Sequence, residues 1–307
     1  MRLFAIRIPD DLVSEETFDT LAMLVEQPAR DRLKRFRLPA DSLRSLVARL
    51  TLTWYLHTGC LLASGELPTY GRKGKGKPTL TTPILSPSLE FNNTHEQSFI
   101  LFTILRSHSP LSTVGIDIMA HPSPSSILSV QEGIVDQLTL SERRGLAVPM
   151  TLEERARRIS VIWALKEGFT KAVGEGITFG MERIEVHLED QRKQEQNNAQ
   201  LTGDGDTGIT ENDRRDDERA AQVAHVRVEK VLVDGKEVGE RGWEWRVGEI
   251  YDRRKGEEEG YSWAVWWRGE DAEPSARGLA LEHVRWDDFV RPLLKLAEDL
   301  QARKGVK

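Results

Sequence analysis

Residues 163–174 read WALKEGFTKAVG, and this stretch predicts a helix that combines core packing with chemistry. At about 100° per residue its large apolar side chains share one broad arc, and Glu167 and Lys171 lie one turn apart beside that arc. The plain interpretation of Glu167 and Lys171 is a surface ion pair worth about 0.2–0.5 kcal/mol. Lys166 falls inside the arc, where an ammonium needs an anionic partner because burying an unpaired charge is costly.

The composition indicates a soluble globular protein of one large domain or two smaller ones. Of the 307 residues, 39% are hydrophobic and 30% are charged, and the formal net charge is −6, which argues against general nucleic-acid binding. Cys60 is the single cysteine, so the chain forms no internal disulfide and fits a reducing compartment. No apolar run approaches the roughly 20 residues of a membrane span. We therefore expect a cytoplasmic protein without membrane association.

A buried strand is predicted at residues 114–119, which read VGIDIM. With a period of two, Val114, Ile116 and Ile118 face one way, and Asp117 and Met119 face the other. Buried aspartate is rare unless a cation or hydrogen-bond donors accompany it. The strand alone therefore leaves two hypotheses for Asp117, a metal ligand and a structural ion pair.

Three stretches are candidates for binding an anion. Residues 71–80 read GRKGKGKPTL, and such a glycine-rich basic loop can surround phosphates, although it lacks P-loop spacing. Residues 91–95 read FNNTH and predict a polar turn before a strand that begins at Phe99; there a lone histidine is more often structural than a phosphate donor. Residues 30–49 contain seven basic side chains against Asp31 and Asp41. The basic ones are Arg30, Arg32, Lys34, Arg35, Arg37, Arg44 and Arg49.

The order of predicted elements indicates an α+β fold of two similar lobes. Each lobe is expected to have antiparallel strands and one long packed helix, with the ligand site in the cleft between the lobes. We place the N-terminal lobe at residues 1–112 and the C-terminal lobe at residues 113–307. Residues 189–219 are rich in charge and poor in apolar side chains, which predicts a disordered insertion in the second lobe.

Four motifs in order resemble one enzyme family. They are KGKPTL at 75–80, FNNTH at 91–95, VGIDIM at 114–119 and WALKEGFTKAVG at 163–174. Together they resemble the 4′-phosphopantetheinyl transferases of the two-lobed type that activates peptide and polyketide synthases. Residues 32–36 also fit, and the loop at 72–78 looks like the human-type branch. The resemblance covers roughly residues 29–174.

The resemblance implies Mg²⁺-dependent transfer of 4′-phosphopantetheine from coenzyme A to a serine of an apo acyl or peptidyl carrier protein, with release of adenosine 3′,5′-bisphosphate. It implies Asp117 and Glu167 as metal ligands and Glu167 and Lys171 as catalytic residues. Glu167, directly or through a water, is the first choice for the base. The residues implied to hold coenzyme A are Arg32, Arg72, Lys75, Lys77, Asn93, Thr94, His95 and Lys171.

Met119 departs from many bacterial members of this family, which have glutamate at that position. A thioether is a poor ligand for Mg²⁺, so we expect a water in its place. Two alternatives to the enzyme stay open at this stage. One is a catalytically silent scaffold that binds coenzyme A or a carrier domain, and the other is a nucleic-acid binder. For the enzyme we expect a monomer.

Overall fold

The computed structural model describes residues 1–11, 13–63, 65–189, 226–254, 257–269 and 279–305. From residue 190 onward, the predicted disordered insertion at 189–219 lies outside these residues. Within the described ranges, no helix combines the length and the apolar character needed to cross a membrane.

The N-terminal half places three helices and the strands β1, β4 and β5 around one core. Its helices are α1 (Glu15–Ala22), α2 (Gln27–Leu33) and α3 (Pro39–Thr58). Its strands are β1 (Arg2–Arg7), β2 (Thr69–Lys73), β3 (Lys77–Thr82), β4 (Ser88–Glu96) and β5 (Phe99–Ser107). Strands β1, β5 and β4 pair antiparallel in that order, and β2 with β3 forms a separate hairpin.

The C-terminal half is built around a 22-residue helix, α6. Its helices are α4 (Ile127–Gly133), α5 (Leu140–Ala147), α6 (Leu152–Val173) and α7 (Trp286–Gly305). Its strands are β6 (Thr113–Ala120), β7 (Ile184–Leu188), β8 (Val228–Val233), β9 (Lys236–Glu237), β10 (Trp243–Arg254), β11 (Glu257–Arg268) and β12 (Leu281–Val284). Strands β10, β11 and β6 form one antiparallel sheet and β7, β8 and β9 another. The predicted α+β class with antiparallel sheets is confirmed.

Helix α6 begins and ends at clear signals. The Thr151 hydroxyl accepts a hydrogen bond from the Glu154 amide as an N-cap, and Glu153 and Glu154 place negative charge in the first turn. Gly174 ends the helix in the left-handed conformation at φ 77°, which glycine adopts without a steric cost. The sequence predicts a helix over residues 153–173, with residues 163–174 as its functional half, and the observed bounds confirm it.

Strand β6 separates two layers of the molecule, as its alternation predicts. Val114, Ile116 and Ile118 join a core between the two sheets. On the opposite face, Gly115 lies directly against α6, where a Cβ atom would come within 2.3 Å of both the Ala172 nitrogen and the Gly168 oxygen. Only a residue without a side chain allows this approach, so Gly115 fixes the distance between β6 and α6.

The predicted lobe division needs one correction, because the chain returns to its N-terminal half. Strand β12 pairs in parallel with β1, with Leu281 opposite Leu3. In α7, Phe289 and Leu293 are buried in the same core as Phe4. The sequence-based division places residues 281–305 in the C-terminal lobe, but β12 pairs with β1, and the buried apolar side chains of α7 pack against β1, α1 and α3 of the first half.

Two local predictions also differ from the structure, and one helix is missing from the prediction. The FNNTH segment is part of β4, since its backbone pairs with β5 as far as Glu96, and the turn follows at Gln97, where φ is 39°. The predicted loop at 71–80 is the β2–β3 hairpin, turning where Gly74 and Gly76 have positive φ. Helix α5 was not predicted, although Thr139 and Glu142 form a capping box at its start.

We expect Gly115→Ala to destabilise the fold by about 3 kcal/mol, because the new methyl would overlap backbone atoms that cannot move without separating β6 from α6. Urea unfolding measures this. Gly145→Ala in α5 is the matched control, since that position has open space and alanine favours a helix by about 0.5–1 kcal/mol. Equal stability of wild type and Gly115→Ala would contradict the assigned packing.

Candidate functional site

Three elements meet at Asp117, which is buried with 6% of its surface exposed. The Lys171 Nζ on α6 donates to the Asp117 Oδ1 at 2.6 Å and to the Thr94 Oγ1 at 3.1 Å. The Thr94 hydroxyl on β4 in turn donates to the same Asp117 oxygen at 2.9 Å. Asp117 therefore has a cation and a donor, as a buried carboxylate requires. Of the two hypotheses for this residue, the ion pair is present in the structure.

Five more carboxylates line the same cavity, which has a volume of about 1310 Å³, and the pKa is raised for two of them, Glu167 and Glu96. Burial, followed by the charge of Asp117, raises the pKa of Glu167, and Lys171 opposes the shift. Burial and then Asp117 also raise the pKa of Glu96, with Arg44 opposing. The cavity thus concentrates carboxylates in partly desolvated surroundings, and this is the physical cause of both shifts.

Glu96 was not among the predicted site residues. Along β4, Asn92, Thr94 and Glu96 alternate toward β6: the Asn92 Oδ1 accepts from the Ile116 amide at 2.9 Å and Thr94 bonds to Asp117. The same period of two would have placed Glu96 beside Asp117. Interpreting FNNTH as a turn concealed that signal.

A second cavity of about 830 Å³ is basic. Four arginines line it, namely Arg30, Arg32, Arg49 and Arg72. Partial burial, together with the charges of Arg32 and Arg72, lowers the pKa of Arg49. The buried Nε of Arg30 has no hydrogen-bond partner among the described residues. Clustered guanidinium groups of this kind suit a phosphate, which accepts several N–H donors at once.

The two cavities join at Asn93 and His95, which line both. Burial and the neighbouring Lys171 and Arg44 lower the pKa of His95, so its imidazole is neutral near pH 7. The Asn93 side chain donates to the Ala48 oxygen at 2.8 Å. This bond ties the side chain to α3, and Asn93 forms part of the wall of both cavities. Its implied contact with coenzyme A stays a prediction.

Two predicted anion ligands, Lys75 and Lys77, line neither cavity. The Lys75 Nζ pairs with Glu175 at 2.7 Å. The Lys77 Nζ donates to the Thr113 hydroxyl at 2.6 Å and to the oxygens of Val114 at 2.7 Å and Ala172 at 3.0 Å. Burial lowers the pKa of Lys77 to about 8. The hairpin folds against the end of α6 and directs both ammonium groups there. Their implied contact with coenzyme A stays a prediction.

The anionic partner predicted for Lys166 is confirmed, and it is Glu142. Both side chains are fully buried, with Nζ and Oε2 at 2.7 Å. Lys166 also donates to the oxygens of Gln137 at 2.8 Å and Met181 at 3.1 Å. Burial lowers the pKa of Lys166, and Glu142 opposes the shift. This pair ties α6 to α5 on the side away from the cavity.

Two family models match the chain in succession. Residues 13–106 match the model described as 4′-phosphopantetheinyl transferase, N-terminal. Residues 113–224 match the 4′-phosphopantetheinyl transferase superfamily. Together the two models span β4, β6 and α6, the elements that line the cavity around Asp117, Glu167 and Glu96, here called the carboxylate cavity.

Curated relatives have the same family name. A 4′-phosphopantetheinyl transferase from Paxillus involutus is 30% identical over 196 residues, covering 61% of this chain and 74% of that protein. A phosphopantetheinyl transferase from Thraustochytrium sp. is 28% identical over 255 residues, covering 80% and 84%. An L-aminoadipate-semialdehyde dehydrogenase-phosphopantetheinyl transferase from Xenopus laevis is 28% identical over 171 residues, covering 54% and 55%. The chain therefore belongs to the 4′-phosphopantetheinyl transferase superfamily.

Proposed function

We propose that this transferase moves the 4′-phosphopantetheine of coenzyme A to a serine of an apo acyl or peptidyl carrier protein and releases adenosine 3′,5′-bisphosphate. The observation that carries the proposal is the pair of joined cavities, one lined by arginines and one by carboxylates. Coenzyme A has a matching layout, with a 3′-phosphorylated adenosine at one end and a pyrophosphate next to the pantetheine arm.

The basic cavity fits the nucleotide. Arg32, Arg49 and Arg72 would neutralise the 3′-phosphate, since guanidinium groups bind phosphate oxygens in pairs. Tyr70 and Phe91, with ring centroids 6.1 Å apart, give the same cavity an aromatic wall. Such a wall suits the flat faces of adenine.

The carboxylate cavity fits the pyrophosphate and a divalent cation. The donor set of Asp117, Glu167 and Glu96 offers hard oxygens, which Mg²⁺ prefers, and the raised pKa values indicate a need for positive charge. Among the described residues no three acidic, histidine or cysteine side chains are close enough to hold a metal by themselves. That fits Mg²⁺, which usually takes substrate phosphate oxygens and waters as well. When bound there, the ion would disperse charge on the pyrophosphate.

The protein groups around the reacting bond have distinct tasks. Lys171 and the neutral His95 would donate hydrogen bonds to pyrophosphate oxygens and hold them in place. The carrier serine oxygen attacks the phosphorus next to pantetheine, and its proton passes to a Glu167 oxygen. The bond from that phosphorus to the bridging oxygen breaks, and adenosine 3′,5′-bisphosphate leaves with the electron pair. Burial raises the pKa of Glu167, which makes its carboxylate a stronger base.

Mass spectrometry tests the proposal directly. An apo carrier protein incubated with the enzyme, coenzyme A and Mg²⁺ should gain one phosphopantetheine on its serine. A protein that binds coenzyme A but leaves several apo carriers unmodified would be the scaffold, and the proposed function would be abandoned.

Glu167→Gln is expected to stabilise the metal-free protein at pH 7.5 and to lower turnover at least about 100-fold. The folded pKa of Glu167 lies above its ordinary value, so the folded chain holds this proton more tightly than the unfolded chain. The ionised Glu167 carboxylate therefore lowers the stability of the folded state by an amount that grows as pH rises above about 4.5. Calorimetry from pH 4 to pH 8 should show a higher melting temperature for Glu167→Gln than for wild type at pH 7.5, and this difference should disappear toward pH 4. Glu132→Gln, an exposed change on α4, is the control, and a destabilised Glu167→Gln at pH 7.5 would contradict the charge analysis.

Arg49→Ala is expected to raise the KM for coenzyme A about tenfold or more, because one charge-assisted contact to the 3′-phosphate is lost. The KM for dephospho-coenzyme A should change little. Arg35→Ala, an exposed arginine that lines neither cavity, is the matched control. If Arg49→Ala raises the KM for both substrates by the same factor, the arginine binds another part of coenzyme A.

Met119→Ala is expected to keep most activity, since a thioether contributes little to binding Mg²⁺. Met119→Glu should lower the Mg²⁺ concentration for half-maximal turnover by adding a carboxylate to the cavity, and Glu96→Gln should raise it. Titrating Mg²⁺ against turnover measures all three. Asp117→Ala provides the inactive reference, and a Met119→Ala protein that folds but is equally inactive would refute this placement.

A further inference from the structure

The three lysines of the β2–β3 hairpin make three different attachments. The Lys73 Nζ pairs with Glu90 on β4 at 2.5 Å. Lys75, at the turn, pairs with Glu175 just beyond α6. Lys73 and Lys75 are partly exposed, so their ion pairs are worth at most about 1 kcal/mol each. Lys77 differs because it is buried, with 7% of its surface exposed.

Lys77 joins the hairpin to the two elements that carry the carboxylate cavity. Its ammonium donates to Thr113 and Val114 at the start of β6 and to Ala172 in the last turn of α6. Carbonyls at the end of a helix carry partial negative charge, which favours a cation there. The stem is confined as well, because a Cβ atom at Gly174 would lie 3.2 Å from the Lys77 Cβ.

The same hairpin carries Arg72 into the basic cavity. In the β2–β3 ladder Arg72 is opposite Pro78, the residue after Lys77. On α6, Lys171 immediately precedes Ala172, whose oxygen accepts from Lys77. One buried ammonium therefore links the strand pair that holds Arg72 to the helix turn that holds Lys171.

We propose that Lys77 is a positioning residue, which sets the spacing between Arg72 and Lys171 and so aligns the 3′-phosphate of coenzyme A with its pyrophosphate. The proposal rests on the function proposed above. It differs from a direct phosphate contact, because Lys77 lines neither cavity, and from a purely structural role, because the attachment sets the distance between two substrate-binding groups.

The test compares Lys77→Met with Arg72→Ala. Arg72→Ala removes one contact to phosphate and should mainly raise the KM for coenzyme A. Lys77→Met should raise KM and also lower kcat about tenfold, because the pyrophosphate would be misaligned with Glu167. Thr113→Val removes one acceptor of Lys77 without altering charge and should shift kcat in the same direction by a smaller factor. Lys236→Met, an exposed lysine on β9, is the matched control.

Calorimetric binding of two nucleotides supplies a readout that needs no transfer. Wild type should bind adenosine 3′,5′-bisphosphate more tightly than adenosine 5′-monophosphate. Lys77→Met and Arg72→Ala should each reduce that preference about tenfold, and the double variant should show little further loss, because Lys77 acts through Arg72.

The proposal would be overturned if the two substitutions reduced the nucleotide preference additively in the double variant and Lys77→Met left kcat unchanged. Lys77 would then be a direct phosphate ligand. A lowered melting temperature with kcat, KM and nucleotide preference intact would leave Lys77 only structural. A wild-type protein that modifies no carrier but loses its nucleotide preference on Lys77→Met would refute the proposed function and support the positioning role. Wild type that binds neither nucleotide would refute both.

Discussion

The backbone contact between β6 and α6 at Gly115 is the constraint on which the site depends. It brings a strand and a helix together at a distance that no other residue type permits. Asp117 lies two residues beyond this contact, and Lys171 is adjacent to Ala172, one of the two residues that Gly115 touches. The 2.6 Å ion pair of Asp117 and Lys171 is therefore a direct result of the packing.

Helix α6 fulfils three roles on three sides. Toward α5 it carries the buried ion pair of Lys166 with Glu142, and removing either partner would leave a charge without compensation. Toward β11 it accepts a hydrogen bond at the Leu165 oxygen from the Trp266 indole at 2.8 Å. Toward the cavity it presents Glu167 and Lys171. Because the first two sides are fixed in the core, Glu167 and Lys171 project from a rigid helix.

The elements with strong local patterns were predictable. The arc of α6 and the alternation of β6 depend on residues close in sequence, so both were correct, including the faces of Asp117 and Met119. The destination of the Lys77 ammonium was not predictable, because it depends on where the hairpin meets α6. The same holds for α7, whose amphipathic pattern does not specify which half of the molecule covers it. Glu96 is an intermediate case. The alternation of Asn92, Thr94 and Glu96 is a local pattern, but it predicts the position of Glu96 only once β4 is recognised as a strand.

The return of β12 and α7 to the first half has a consequence for how the protein is made. Phe289, Leu293 and Leu296 belong to the core that also contains Phe4 and Leu46. A ribosome synthesises β1 and α3 long before α7. Until α7 is available, part of the apolar surface of the nascent N-terminal half is exposed to water. Its core closes only when residues 281–305 have left the exit tunnel. Translation order thus makes the first-synthesised half one of the last regions to complete its folding.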